Sequence, residues 1–255
     1  IWTFSKAYRL DRQEKYKLMA NRAADYYILH FVDTTYGGVF WQVDSEGHPK
    51  DMTKQTYACA FGIYGLAEHF RATGDRRSLE AALKLYSTLE EKVHDKIGMG
   101  YIESFQRDYL KASLIGVDGQ ADASKTMNTH IHLLEAFTTL YQVWPDAGLR
   151  ENLKELLNIL QTRLYSAQRN HLILYCDDNW NPIGETDSYG HDIETSWLMS
   201  EAAAVVGDPV LKKQVDGQAV KMTRTALKEG LNAEGVMLYE KTPKGMSKKA
   251  SWWPQ

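Results

Sequence analysis

The sequence is poor in cysteine, in long apolar runs and in net positive charge, and each shortage excludes a class of protein. Cys59 and Cys176 are its only cysteines and form no CxxC motif, which argues against a disulfide scaffold and fits a reducing, cytoplasmic compartment. No apolar run approaches the roughly 20 residues that a membrane span needs. Because 30 Lys and Arg face 33 Asp and Glu, no basic surface for nucleic acid or an anionic membrane is evident. We expect a globular protein, monomeric or weakly oligomeric, with a small substrate.

The chain repeats one architectural unit. Segments that combine a β-prone run with turn residues begin at Tyr36, Ile97, Asn170 and Ala233, at intervals of roughly sixty to seventy residues, and we interpret them as short β-hairpins. Two predicted helices lie between successive hairpins. The first of each pair, at 56–70 and 189–206, is apolar nearly all round, and the second, at 76–95 and 149–164, is amphipathic. One helix of each pair should therefore face inward and the other outward.

Polar side chains on the buried helices gather near their N-terminal ends. A closed ring would bring these ends to one mouth, whereas an open solenoid would spread them along a groove. Because the groups are chemically matched, we expect an all-α toroid with short hairpins between helix pairs. A closed toroid would need more chain than these residues supply. We expect one domain, residues 1–255, that is incomplete at both ends. The groups concerned are Lys54, Gln55, Tyr57, Asn128, His130, His132, His191, Glu194, Trp252, Trp253 and Gln255.

Two of these helices carry the pattern His-x-x-Glu. His191 and Glu194 lie in YGHDIETSWL, which begins at Tyr189, and His132 and Glu135 lie in NTHIHLLEA, which begins at Asn128. Residues three apart share a helix face, so the carboxylate can hold the imidazole in one tautomer. Such a pair is a candidate general base.

Four stretches together resemble the cellobiose 2-epimerases, a family within the N-acylglucosamine 2-epimerase superfamily. They are IWTFS at the start, MNTHIHLLEA from Met127, GHDIETSWL from Gly190 and WWPQ from Trp252. The resemblance implies an (α/α)6 barrel and an enzyme that interconverts glucose and mannose at the reducing end of a β-1,4-linked disaccharide, without a metal or organic cofactor.

Inverting C2 of an aldose requires opening the ring, removing the C2 proton and returning a proton to the opposite face of the enediolate. Histidine suits this work because its unperturbed pKa of about 6.5 lets it take and give a proton near neutrality. The resemblance implies that His191, oriented by Glu194, is one of the acid–base groups at C2. It also implies that His132 is a supporting histidine. It also implies that Asn128 and Tyr57 donate to sugar hydroxyls.

Other groups have structural or ligand-binding interpretations. Trp252 and Trp253 either fill the core or form a platform for a sugar ring. We expect His130 to be a buried structural histidine, and Asp122 and Ser124 to cap the helix that carries Asn128. Four histidines near helix ends or in a hairpin turn are expected to be solvated: His30, His48, His69 and His94.

The resemblance also implies two groups that these residues do not supply, namely a second acid–base histidine on a later helix and an arginine just before IWTFS. We therefore expect no turnover from residues 1–255 alone. Three alternatives stay open: a di-metal enzyme, a non-catalytic sugar-binding toroid, and a superfamily member that isomerises an aldose or acts on an N-acylglucosamine.

Overall fold

The computed structural model describes residues 1–110, 123–247 and 249, and α-helices dominate it. Among these residues, no helix combines the length and apolar character required to cross a membrane. The predictions for Asp122, Trp252 and Trp253 fall outside the described residues. The helices are α1 (Trp2–Asp11), α2 (Glu14–His30), α3 (Thr56–Thr73), α4 (Arg76–Lys92), α5 (Met127–Tyr141), α6 (Ala147–Thr162), α7 (Tyr189–Val206) and α8 (Pro209–Gly230).

The helices form two layers. In the inner layer, α1 contacts α3, α3 contacts α5 and α5 contacts α7, while α2, α4, α6 and α8 pack outside them. Leucines from the outer stripes, such as Leu85 and Leu156, are buried against Leu134 and Met199 of the inner helices. Each such side chain contributes about 1.5–3 kcal/mol by leaving water. The predicted all-α toroid of inner and outer helices is confirmed.

Local sequence explains where several helices begin and end. Asp75, Asp146 and Asp208 cap α4, α6 and α8 by accepting backbone N–H groups of the first turn. Gly74 and Gly207 end α3 and α7 with φ values of 76° and 73°, a left-handed conformation that glycine adopts without strain.

The strands are short and pair across the repeats. The first and last predicted hairpins are confirmed as β1 with β2 and β10 with β11, and β6 with β7 forms another. The strands before α3, α5 and α7 instead pair with β4, β8 and β10, which come from later segments. The strands are β1 (Gln42–Val43), β2 (Pro49–Asp51), β3 (Lys54–Gln55), β4 (Ser104–Phe105), β5 (Lys125–Thr126), β6 (Tyr165–Ser166), β7 (His171–Leu172), β8 (Tyr175–Cys176), β9 (Asp187–Ser188), β10 (Glu240–Thr242) and β11 (Gly245–Met246).

A buried ion pair fixes the strand that leads into each of two inner helices. Lys54 Nζ in β3 lies 2.9 Å from Asp33 Oδ2, and Lys125 Nζ in β5 lies 2.8 Å from Asp95 Oδ2. Asp187 of β9 occupies the equivalent position before α7 and pairs with Arg169, so the charges are exchanged in this repeat. These pairs anchor the N-terminal ends of the inner helices.

Two histidines that we expected to be solvated are enclosed. His69 is 1% exposed, and its ring nitrogens contact Ser78 Oγ and Asn21 Oδ1 at 2.7 and 2.9 Å. The side chain of His94 is 8% exposed and lies between two glutamate carboxylates. The prediction is wrong for both because it considered only their own helix ends, which neighbouring helices cover.

Candidate active site

A cleft of about 1040 Å³ runs along the inner faces of α3, α5 and α7, from their N-terminal halves toward their C-terminal ends. His132 of α5 and Gly190, Ile193 and Glu194 of α7 line this cleft, and His191 stands between Gly190 and Ile193 without itself being one of the lining residues. Aromatic rings of Phe61, Tyr64 and Trp197 form much of the remaining wall. A cavity with apolar walls and a few polar groups is typical of a small-molecule site.

His132 is fixed by one carboxylate and two aromatic rings. Its Nδ1 lies 3.1 Å from Glu135 Oε2, so the contact expected from the three-residue spacing is present. The edge of Tyr57 meets the imidazole at an interplanar angle of 88°, and Phe61 lies 4.7 Å from it between ring centroids. The residue is 4% exposed, and its contact with Glu135 is made through Nδ1 and not through Nε2.

His191 has a neutral partner. Its Nδ1 lies 2.7 Å from Ser188 Oγ. Burial, and secondarily the charge of nearby His132, lower the pKa of His191 to about 4. The ring is therefore neutral at pH 7, and His132 lies close enough to disfavour protonation of His191.

Glu194 lies close enough to His132 for their charges to interact. Burial raises the pKa of Glu194, the charge of His132 opposes this effect and Glu135 adds to it. Within the described part of the chain, the buried Oε2 of Glu194 has no hydrogen-bond partner. An unsatisfied carboxylate oxygen on the wall of a cleft is costly unless a ligand donates to it.

The remaining expected residues lie around this group. Tyr57 is half-buried and touches His132, and Asn128 is half-buried one turn before His132 on α5. His130 points elsewhere: its Nδ1 lies 2.6 Å from the Thr126 carbonyl and its Nε2 accepts the Tyr101 N–H. Burial lowers the pKa of His130 to about 4, in line with the structural role expected for it.

Sequence reasoning missed Phe61, Tyr64 and Ser188. Phe61 follows Tyr57 by one helical turn and Ser188 precedes His191 by three residues, so both spacings offered a signal. The cap of α5 was also assigned wrongly, because Thr126 accepts the Thr129 N–H instead of Ser124 doing so.

Among the described residues, no group of three or more His, Cys, Asp or Glu side chains is placed to hold a metal ion. His132, Glu135, His191 and Glu194 lie near one another, but their contacts are hydrogen bonds and charge interactions between neighbouring side chains.

Solved structures of two sugar-converting enzymes share this architecture. Cellobiose 2-epimerase from Bacillus thermoamylovorans B4167 superposes with a TM-score of 0.93 at 33% identity, over 99% of this chain and 65% of that one. A D-mannose isomerase superposes with a TM-score of 0.82 at 19% identity, which is a similarity of fold alone.

Curated relatives that are similar in sequence are also named cellobiose 2-epimerase. Cellobiose 2-epimerase of Bacteroides fragilis is 42% identical over 258 residues, which covers 100% of this chain and 66% of the relative. That of Dictyoglomus turgidum is 32% identical and is covered to 65%. This chain thus spans about 65% of the length of such relatives. The family model described as N-acylglucosamine 2-epimerase (GlcNAc 2-epimerase) matches residues 1–255, and the chain belongs to that family.

Proposed function

We propose that the protein inverts C2 of the reducing-end glucose of cellobiose and related β-1,4-linked disaccharides, giving mannose at that position through an enediolate. The observation that carries this proposal is the pairing of His132 and His191, two imidazoles with different partners that interact electrostatically beside one cleft. The relatives named cellobiose 2-epimerase support the choice of substrate.

His191 is the candidate C2 base. Once the sugar ring opens, the C1 aldehyde acidifies the C2 proton, and a neutral imidazole can accept it. The lowered pKa of about 4 keeps His191 in this acceptor form at neutral pH. The negative charge of the enediolate then stabilises the imidazolium that forms. Epimerisation also needs a second acid that returns a proton to the opposite face of C2, the role that the family resemblance gives to a histidine on a later helix.

His132, Glu194, Tyr57 and Asn128 are the candidate ligands of the sugar oxygens. His132 contacts Glu135 through Nδ1, so its Nε2 is the candidate ligand of a sugar oxygen. The Oε2 of Glu194, which has no partner within the described residues, can accept a hydrogen bond from a sugar hydroxyl. Donors fixed before the substrate arrives stabilise enediolate charge without reorganisation. The cleft has space for more than one pyranose ring, which suits a disaccharide.

The fold similarity to a D-mannose isomerase favours one second candidate, aldose–ketose isomerisation. Both reactions pass through the same enediolate and differ in whether C2 or C1 receives the returning proton. Separating the products formed from cellobiose distinguishes them: a terminal mannose indicates epimerisation and a terminal fructose indicates isomerisation.

Replacement His191→Asn tests the proposal in the full-length protein. We expect turnover of cellobiose to fall by about 10²–10⁴-fold, because acid–base catalysis is lost, while calorimetry shows cellobiose still bound. His48→Asn is the matched control, since His48 lies in the exposed first hairpin. If His191→Asn retains wild-type turnover, the proposed role is wrong. If the wild type binds cellobiose without converting it, the protein is a sugar-binding toroid.

Exhaustive chelation tests the di-metal alternative separately. The proposal predicts unchanged turnover after treatment, and a loss that added metal restores would contradict it.

A further inference from the structure

The residue before α7 does not use its side chain as a helix cap. In α4, α5, α6 and α8, an Asp or Thr at this position accepts a backbone N–H of the first turn. Ser188 stands at the same position in α7 and forms no such bond. Its Oγ instead lies 2.7 Å from Nδ1 of His191, the third residue of the helix.

Thr126 shows what Ser188 could do. Both residues end a two-residue strand that runs directly into an inner helix, β5 into α5 and β9 into α7. Thr126 Oγ1 accepts the N–H of Thr129, whereas Ser188 contacts a ring on the equivalent third residue. Since serine is among the best N-caps, helix stability alone favours the bond that Ser188 lacks.

The backbone fixes the Ser188 hydroxyl in place. Ser188 pairs with Glu240 in the ladder between β9 and β10, and it is 5% exposed. A hydroxyl held on a strand constrains the imidazole beside it more tightly than one on a free loop would.

We propose that Ser188 is a positioning residue that accepts the Nδ1–H of His191, and so leaves the lone pair of Nε2 to take the C2 proton. The inference rests on the proposed function, because only a base at Nε2 requires this tautomer. A neutral hydroxyl orients the ring without adding negative charge, whereas His132 has the carboxylate of Glu135. The different partners, a hydroxyl for His191 and a carboxylate for His132, therefore suit the two histidines to different roles.

Nitrogen-15 NMR of the histidine rings in the full-length protein, at about pH 7, tests the inference directly. We expect the wild type to show the proton of His191 on Nδ1. Ser188→Ala should remove this preference and lower kcat at least about tenfold with little change in KM. Ser188→Thr keeps a hydroxyl and should restore both.

Thr126→Ala is the matched control. It removes a cap that is in use and a hydrogen bond to the buried Oε2 of Glu103, so it should lower Tm by at least about 2–4 °C and leave the ring spectrum of His191 unchanged. Ser188→Ala should shift Tm less, since it removes no cap.

Three results would overturn the inference: a wild-type proton on Nε2, a Ser188→Ala variant that keeps the wild-type ring spectrum, or one that behaves as Thr126→Ala does. The wild-type and Ser188→Thr spectra remain decisive if Ser188→Ala does not fold. The ring spectrum is independent of turnover, so a protein that fails to epimerise cellobiose but carries the proton on Nδ1 disproves the proposed function alone.

Discussion

At the scale of single residues, the two His-x-x-Glu motifs are not equivalent. The spacing predicted that a carboxylate could hold each ring, and Glu135 does contact His132 at 3.1 Å. The Nδ1 of His191 contacts Ser188, while Glu194 interacts electrostatically with His132. A helix offers neighbours on both sides of a residue, at i−3 and at i+3, and packing between α5 and α7 decides which one the ring meets. That choice is not encoded in the spacing within one helix.

Replacement Glu135→Gln tests the role of the His132 pair. The amide keeps the size of the side chain and removes the carboxylate that contacts His132 Nδ1 at 3.1 Å and orients the ring, so we expect kcat to fall by about 10–10²-fold with little change in KM. Glu90→Gln is the matched control, because it removes a carboxylate 3.0 Å from His94 in the outer layer. Equal effects of the two changes on kcat would show that Glu135 acts through stability alone.

At the scale of elements, helix ends follow local sequence and strand pairing does not. Asp75, Asp146 and Asp208 stand before amphipathic runs, and Gly74 and Gly207 follow apolar ones, so these boundaries are readable from the chain. A strand of two residues has no alternation to show its partner. The ladders of β3 with β4 and β5 with β8 therefore emerge only when the helices are stacked.

The buried lysine before α3 gives a prediction at this scale. Lys54 and Asp33 have side chains that are each 1% exposed, so Lys54→Met leaves Asp33 buried with Arg107 as its remaining cation. Removing one partner of a buried pair costs about 3–5 kcal/mol, and we expect the lower end of this range in urea unfolding. Arg107→Gln is the control: its side chain is 38% exposed, and we expect a loss of about 1 kcal/mol or less. Equal losses of unfolding free energy in the two variants would contradict the role of Lys54 as an anchor of α3.

At the scale of the whole molecule, the repeat and its periodicity sufficed to predict two layers of helices. What they could not predict is the depth at which each polar group lies. His69 and His94 both stand near helix ends in the sequence, yet neighbouring helices enclose both and give them different partners.

The shifted pKa values of the enclosed histidines predict how the free energy of unfolding depends on pH. The pKa values of His130 and His191 are lowered to about 4, so the unfolded chain binds more protons between pH 4 and 6.5, and the free energy of unfolding should decrease as pH falls through this window. Burial is the largest single effect on His94 and lowers its pKa, but the hydrogen bonds that the ring donates to Glu155 and Glu90, together with the charges of these carboxylates, raise it to about 9. Its contribution is complete below pH 6.5 and is lost as pH rises to 9.

Urea unfolding at pH 4.5, 6.5 and 9 should therefore show greatest stability near pH 6.5. His94→Gln should flatten the alkaline side and leave the acid side unchanged. A variant that keeps the alkaline decrease would assign it to other groups.

The most direct measurement is the fate of the C2 hydrogen. Cellobiose incubated with the full-length protein in heavy water should acquire deuterium at C2, both in the epimer and in the recovered substrate, and His191→Asn should abolish this exchange. Formation of an epimer that retains its original hydrogen at C2 would contradict proton abstraction by a histidine of the cleft.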